Sequence, residues 1–312
     1  MKWFRRRHFQ IVYRFEYLSA AQDFSEDKGF GIMKFKKIRD RLREEKVVRR
    51  RDWLSPERLG DEDLLLVHTP AYLDSLKDPA VVARELFLTQ YHPWDNEVFE
   101  YFRYVGGGTC LALEKSLQSG NTIFNMGGGF HHAQPDRAEG YCLINDVAVA
   151  IEKIRRSGHR PKILIVDLDF HQGNGNTLYF EGDPTVFTFS IHNDSWVHID
   201  DPTNLDITLP ENTDDNTYLK VLNVNLESVM DSFQPQAVIY LAGSDPHIHD
   251  PHGTFNITEA GLLKRDLTVY NMVQKRKLPL VVLAAGGYGA HSWRFYYNFI
   301  RHVVLHGKRG WL

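Results

Sequence analysis

Lys162-Ile163-Leu164-Ile165-Val166-Asp167-Leu168-Asp169-Phe170-His171-Gln172-Gly173-Asn174-Gly175 is the stretch on which the reading of this chain turns. The aliphatic run 163–166 shows no polar alternation, which is the pattern of a strand covered on both faces. Two aspartates and a histidine follow at every second position. Along an extended backbone that spacing sends Asp167, Asp169 and His171 to one side. Two carboxylates and an imidazole gathered at a strand end are costly unless a divalent cation compensates them. Open α/β sheets bind their ligands beyond the C-terminal ends of such strands. The stretch therefore predicts both a fold class and a site.

Working outward, apolar runs recur at 11–13, 64–67, 122–124, 186–189, 237–241 and 278–283, and each reads as a strand. Between them lie helical periods at about 31–46, 96–118, 144–157, 215–232, 257–275 and 291–305. Asp146, Asp214 and Thr258 suit helix starts, and Gly120 and Gly158 suit helix ends. Strand–helix alternation of this kind predicts a mainly parallel sheet with helices on both faces. No linker, repeat or low-complexity tract interrupts it. The whole chain, 1–312 with a core at about 9–305, reads as one α/β domain.

Composition narrows the function. The 312 residues are 43% hydrophobic and 25% charged, the proportions of an ordinary folded protein. Net charge is −3 from 37 basic and 40 acidic residues, so no global field selects nucleic acid or an anionic membrane. No apolar run approaches the ~20 residues that span a bilayer. The opening segment lacks a secretory pattern, so a cytoplasmic (or nuclear) location is expected. Cys110 and Cys142 are the only cysteines, which argues against a disulfide framework and a thiolate zinc site. The basic clusters Arg5 to Arg7 and Arg49 to Arg51 read as solvated surface.

Three further segments place polar residues just after a buried run. Asn125-Met126-Gly127-Gly128-Gly129-Phe130-His131-His132 sets two adjacent histidines behind a glycine turn. Leu241-Ala242-Gly243-Ser244-Asp245 offers a third metal ligand to Asp169 and His171. Ala285-Gly286-Gly287-Tyr288 holds a tyrosine on a glycine turn. Gly106-Gly107-Gly108 lacks a phosphate-loop pattern and reads as a helix-start turn. His247, His249 and His252 invite a second metal site, but Pro246 and Pro251 restrict the backbone and work against convergence.

GGGFHH, DLDFHQGNG, AGSD and GGY, in this order and spacing, resemble the histone deacetylase superfamily, which includes acetylpolyamine amidohydrolases and acetoin-utilisation proteins. HQGNG, with HTPAYLDSL upstream and ITEAGLLKRD downstream, resembles the class IV histone deacetylases most. The likeness runs from about residue 9 to 300. It implies an arginase/deacetylase fold, a single domain on a largely parallel eight-stranded sheet. Carried over by motif, Asp169, His171 and Asp245 resemble the zinc ligands. His131 and His132 resemble the tandem active-site histidines, Asp167 the carboxylate behind His131, and Tyr288 the carbonyl-polarising tyrosine. Gly140 and Tyr141 fall where the family lines its acyl-lysine tunnel, with Tyr141 in place of the more usual phenylalanine. Backbone carbonyls of Asp167, Asp169, His171, Ser190 and Ile191 resemble a monovalent-cation site, which implies K+. Asn174 stands where many members carry an aspartate, and His252 stands at the tunnel rim in place of an apolar residue. The segment SAAQDFSEDKGFG lacks the family's His-Pro, and WVHIDDPTN lacks its Pro-Gly.

The resemblance implies metal-dependent hydrolysis of acylated primary amines, acetyl or longer acyl groups on lysine side chains foremost, with Zn2+ or alternatively Fe2+. Acetylpolyamine or other small-molecule amides are the alternative substrates, and a non-catalytic acyl-lysine binder is the alternative role. A ureohydrolase would need carboxylates for a second metal where this chain carries Gln172 and Asn174. Substrate identity and oligomeric state stay open.

Overall fold

The computed structural model describes residues 9–19, 33–88 and 97–306. The cluster Arg5 to Arg7 and most of SAAQDFSEDKGFG lie outside the described residues. Among the described residues there are eight strands: β1 (Phe9–Val12), β2 (Trp53–Leu54), β3 (Thr122–Asn125), β4 (Ile163–Asp167), β5 (Val186–His192), β6 (Asn204–Thr208), β7 (Ala237–Leu241) and β8 (Leu280–Leu283). They form one sheet in the order β2-β1-β3-β8-β7-β4-β5-β6. Every pairing is parallel. Each residue of β3, β4, β5, β7 and β8 is buried, which is why those runs carry no polar alternation. The helices Met33–Glu44, Glu97–Ser119, Asp146–Arg156, Asp215–Phe233, Glu259–Lys275 and Ser292–His306 cover the sheet. Asp214 and Thr258 cap their helices through Thr217 N–H and Gly261 N–H. Gly120 and Gly158, at φ +70° and +88°, end theirs.

Four readings of the sequence need correction. The run 64–67 is no strand: Asp61–Leu64 is a helical turn that runs on into further turns. Asp63 reaches back to Gly60 N–H at 3.3 Å. Leu64 and Val67 are buried while Leu65 is 48% exposed, a helical rather than a two-residue period. Gly106 to Gly108 lie inside the helix Glu97–Ser119 instead of opening it. They are small because a Cβ there would strike Leu59, the backbone of Glu57 and the Tyr17 hydroxyl. Asn145 rather than Asp146 caps the helix Asp146–Arg156, accepting Ala148 N–H at 2.8 Å. Finally, the edge strands β2 and β6 escaped the sequence reading, β6 because its residues are at most half-buried and polar ones interrupt it.

The segment HTPAYLDSL braces the loop that follows the histidine pair. Thr69 caps the helix Pro70–Ser75, and Tyr72 Oη donates to Leu143 O at 2.7 Å. His68 Nε2 accepts Asn145 N–H at 3.0 Å, so its Nδ1 is the protonated nitrogen that meets Gln134 O at 3.1 Å. Burial pushes the His68 ring down to a pKa of about 4. The unfolded chain therefore takes up this proton near pH 6.5 and the native one only near 4. Stability from His68 is complete above pH 6.5 and drains away as pH falls toward 4, on the order of 3 kcal/mol. His68→Gln should accordingly destabilise the protein more at pH 7 than at pH 4.5, by roughly 2–3 kcal/mol in urea unfolding. An equal penalty at both pH values contradicts this account.

Candidate active site

Strand β4 stops at Asp167, and the convergence is built by the turn beyond it. Asp169 N–H donates to Asp167 Oδ1 at 3.1 Å, and His171 N–H donates to Asp169 Oδ1 at 3.0 Å. Leu168 and Phe170 fill the core between these polar residues. Strand β7 lies beside β4 with Leu241 opposite Asp167, which carries Asp245 to the same place. Asp245 Oδ1 accepts Phe170 N–H at 3.0 Å, tying the two loops together. Gly286, beyond β8, donates its N–H to Asp169 Oδ2 at 2.8 Å. A Cβ on Gly286 would run into both carboxylates.

Among the described residues, Asp169, His171 and Asp245 form the one group able to hold a metal ion, with candidate ligand atoms all within 4.8 Å of each other. His171 Nδ1 lies 3.2 Å from Asp169 and 3.3 Å from Asp245. Burial disfavours charge on the ring, but the two carboxylates prevail and raise His171 to about 10. Burial and the neighbouring Asp169 carboxylate raise Asp245 to about 7. Asp245 Oδ2 is buried and makes no hydrogen bond. That oxygen faces His171 Nδ1 at 3.3 Å, so two buried carboxylates share one imidazole, an arrangement that a divalent cation balances better. Two carboxylates and one imidazole suit Zn2+ or Fe2+. The residues present fit such an ion.

The histidine pair faces this group, with ring centroids 4.0 Å apart. The turn before it is strongly held: Asp146 accepts Phe130 N–H at 2.7 Å and Gly129 N–H at 3.1 Å, and Thr109 hydrogen-bonds the same carboxylate. Gly128 and Gly129, at φ +78° and +85°, supply a backbone that a side chain would strain. His131 Nδ1 meets Asp167 Oδ2 at 2.7 Å, and His132 Nδ1 meets Asn174 Oδ1 at 2.7 Å. These partners split the pair. Burial works against charge on His131, but Asp167 and Asp169 overcome it and raise the ring to about 9. Burial, reinforced by the charge on His131, pushes His132 well below the usual histidine range. The surroundings thus bias the two rings in opposite directions, His131 toward the cation and His132 toward the free base.

Tyr288 stands across the cavity, which His131, His132, Gly140 and Asp169 also line. Burial and then Asp245 push its phenol well above 10, so it keeps its proton as a donor. Its loop is clamped from two sides. Asp250 Oδ2 accepts Tyr288 N–H at 2.8 Å and Gly289 N–H at 3.0 Å, and Lys34 Nζ donates to Gly287 O at 2.9 Å. The His252 ring packs edge-on against Tyr288 at 4.4 Å. His247 and His249 are 5.5 Å apart, ring to ring, and belong to no metal-holding group.

Gly140 presses its backbone against His132, where any Cβ would collide with the ring. Tyr141 follows at φ +62°. On His132 also stacks a residue the sequence reading missed, Trp196, at 4.5 Å and 14°. Gln172 Oε1 fixes its loop by accepting Trp196 N–H at 2.6 Å and Val197 N–H at 2.9 Å. The lone tryptophan in WVHIDDPTN was the available signal. Asp146 was likewise missed as a site residue because it reads as a helix start.

An all-parallel α/β sheet that gathers a carboxylate–imidazole triad and a histidine pair at its strand ends is an arrangement shared with hydrolases of the deacetylase class. Residues 30–300 match the family profile described as the histone deacetylase domain. The chain is 32% identical over 299 residues to histone deacetylase 2 of Arabidopsis thaliana, covering 93% of this chain and 76% of that one. It is 33% identical over 302 residues to an uncharacterised protein of Picosynechococcus, covering 96% and 97%. Acetoin utilization protein AcuC of Staphylococcus aureus is 26% identical, covering 90% and 77%. A crystal structure of a histone deacetylase homologue complexed with SAHA superposes with a TM-score of 0.78 at 25% identity, covering 97% of this chain and 85% of that one. The chain belongs to the histone deacetylase family.

If the triad holds the ion, purified protein should carry one divalent metal per chain by elemental analysis. Asp169→Ala and Asp245→Ala should each bring that stoichiometry close to zero. Full metal content in either variant refutes the ligand assignment.

Proposed function

We propose that this protein is a metal-dependent deacylase that hydrolyses acylated primary amines, acyl-lysine side chains foremost. The observation that carries the proposal is the split histidine pair facing the Asp169–His171–Asp245 group and Tyr288 within one cavity. A Zn2+ or Fe2+ ion held by that group would polarise the amide carbonyl and acidify a water. His132, the uncharged ring, takes the proton from the attacking water and passes it to the departing amine. His131, biased toward its protonated form by Asp167, is the poorer acceptor for that proton. It supplies fixed positive charge beside the developing oxyanion instead. Tyr288 donates its hydroxyl hydrogen to the same oxygen, and the Asp250 and Lys34 contacts hold that loop in place. Gly140, Tyr141 and the Trp196 ring line the approach, and His252 meets the substrate stem at the rim. The register that sets Asp167 opposite Ser190 supports a monovalent-cation site built from the carbonyls of Asp167, Asp169, His171, Ser190 and Ile191.

Metal analysis combined with turnover of a panel of acyl-lysine peptides and acetylpolyamines tests this reading. Acyl-lysine turnover supports it. Polyamine turnover alone moves the substrate to small amines, and binding without turnover makes the protein a scaffold. Within the panel, His132→Ala should lower kcat more than His131→Ala. Tyr288→Phe should lower kcat by about a hundredfold with metal retained. Small, equal losses in all three variants contradict these roles. His252→Leu should reorder the ranking of neutral, acidic-flanked and cationic substrates, and an unchanged ranking removes His252 from the site.

A further inference from the structure

Behind His132 the hydrogen bonds continue beyond Asn174. Asn174 Nδ2 donates to Glu139 Oε2 at 2.8 Å, and Gln134 Nε2 donates to the same oxygen at 2.8 Å. Glu139 sits in a tight turn closed by Cys142 N–H to Glu139 O at 2.8 Å and Glu139 N–H to Cys142 O at 3.2 Å. That turn is the one that lays Gly140 against the His132 ring. A carboxylate oxygen only accepts hydrogen bonds. The amide nitrogen of Asn174 must therefore face Glu139, which leaves its carbonyl oxygen facing His132. A carbonyl oxygen only accepts as well, so His132 Nδ1 must carry the hydrogen, and its lone pair stays on Nε2.

We infer that Glu139 is a positioning residue for proton transfer, acting through Asn174 to fix the tautomer of His132. Without Glu139 the amide is free to turn over. Its nitrogen would then face Nδ1, move the ring hydrogen to Nε2 and leave no lone pair there to take a proton. An aspartate behind His132 could have held Nδ1–H unaided, because it has only acceptors to offer. An asparagine has two ends, and something must choose between them. Glu139 makes that choice.

The inference rests on His132 as the proton acceptor, so its test reads the tautomer directly as well as the rate. Nitrogen-15 spectra of histidine-labelled protein, with His132 assigned by its loss in His132→Gln, should show a protonated Nδ1 and an unprotonated Nε2. Glu139→Ala should mix the two tautomers and lower kcat roughly tenfold to a hundredfold, with KM within about twofold and metal content unchanged. Glu139→Gln keeps the size but replaces the acceptor-only group by a two-ended amide, so it should also mix the tautomers, and a wild-type spectrum there would mean that Glu139 acts by packing alone. A wild-type His132 spectrum in Glu139→Ala overturns the inference whether or not the protein turns over acyl-lysine. A mixed spectrum with undiminished kcat leaves Glu139 in place but removes His132 from proton transfer, which is a failure of the proposed function instead.

Discussion

Asp169 and Asp245 are held out of water against one another, and the rest of the molecule is arranged to tolerate that. Parallel neighbours β4 and β7 bring the two carboxylates together, and no short local motif could. Beneath them lies Arg265, fully buried, whose Nη1 donates to Leu168 O at 3.0 Å and Gly243 O at 2.7 Å. One guanidinium thus fastens the loop after β4 to the loop after β7. Its own charge is met by Asp266, which also accepts the Tyr240 hydroxyl. Removing Asp266 would strand a buried cation under the site, a costlier change than losing a surface pair.

The two histidines show how far environment separates identical side chains. They are consecutive in sequence and both are buried. Asp167 and Asp169 raise one ring, while burial and the charge on that ring lower the other, with the Asn174 amide too weak to offset them. The Thr109–Asp146–Gly129 contacts and the Asp250–Tyr288 contacts do related work on the backbone. They fix loops whose φ values, +85° at Gly129 and +48° at Ala285, are unfavourable for residues with a side chain.

What the sequence revealed and what it hid divide along a physical line. Asp169, His171, Asp245 and the His131–His132 pair were legible because each sits in a short motif directly after a buried run. The buried strands were legible for the same reason, having no polar residues to confuse their pattern. Residues 64–67 misled because four apolar residues are too few to distinguish a strand from a helical turn. Gln172, Asp146, Glu139 and Arg265 were invisible in their roles. Each has a partner between 16 and 97 positions away, as Asp146 to Phe130 and Arg265 to Leu168 show. Trp196 fell in a loop identified only by the pattern it lacked.

The sheet order has a consequence for how the molecule comes into being. Strand β8, the last of the described strands, lies in the interior of the sheet between β3 and β7. Until it docks, β2-β1-β3 and β7-β4-β5-β6 are two separate ribbons, each with an open inner edge. A ribosome must therefore deliver residue 283 and emerge beyond it before the halves can join, and at about 5–20 residues per second that interval lasts many seconds. The segment carrying Gly286 and Tyr288 arrives immediately behind β8. Closing the sheet consequently also brings Gly286 and Tyr288 to the strand ends where Asp169 and the histidine pair stand.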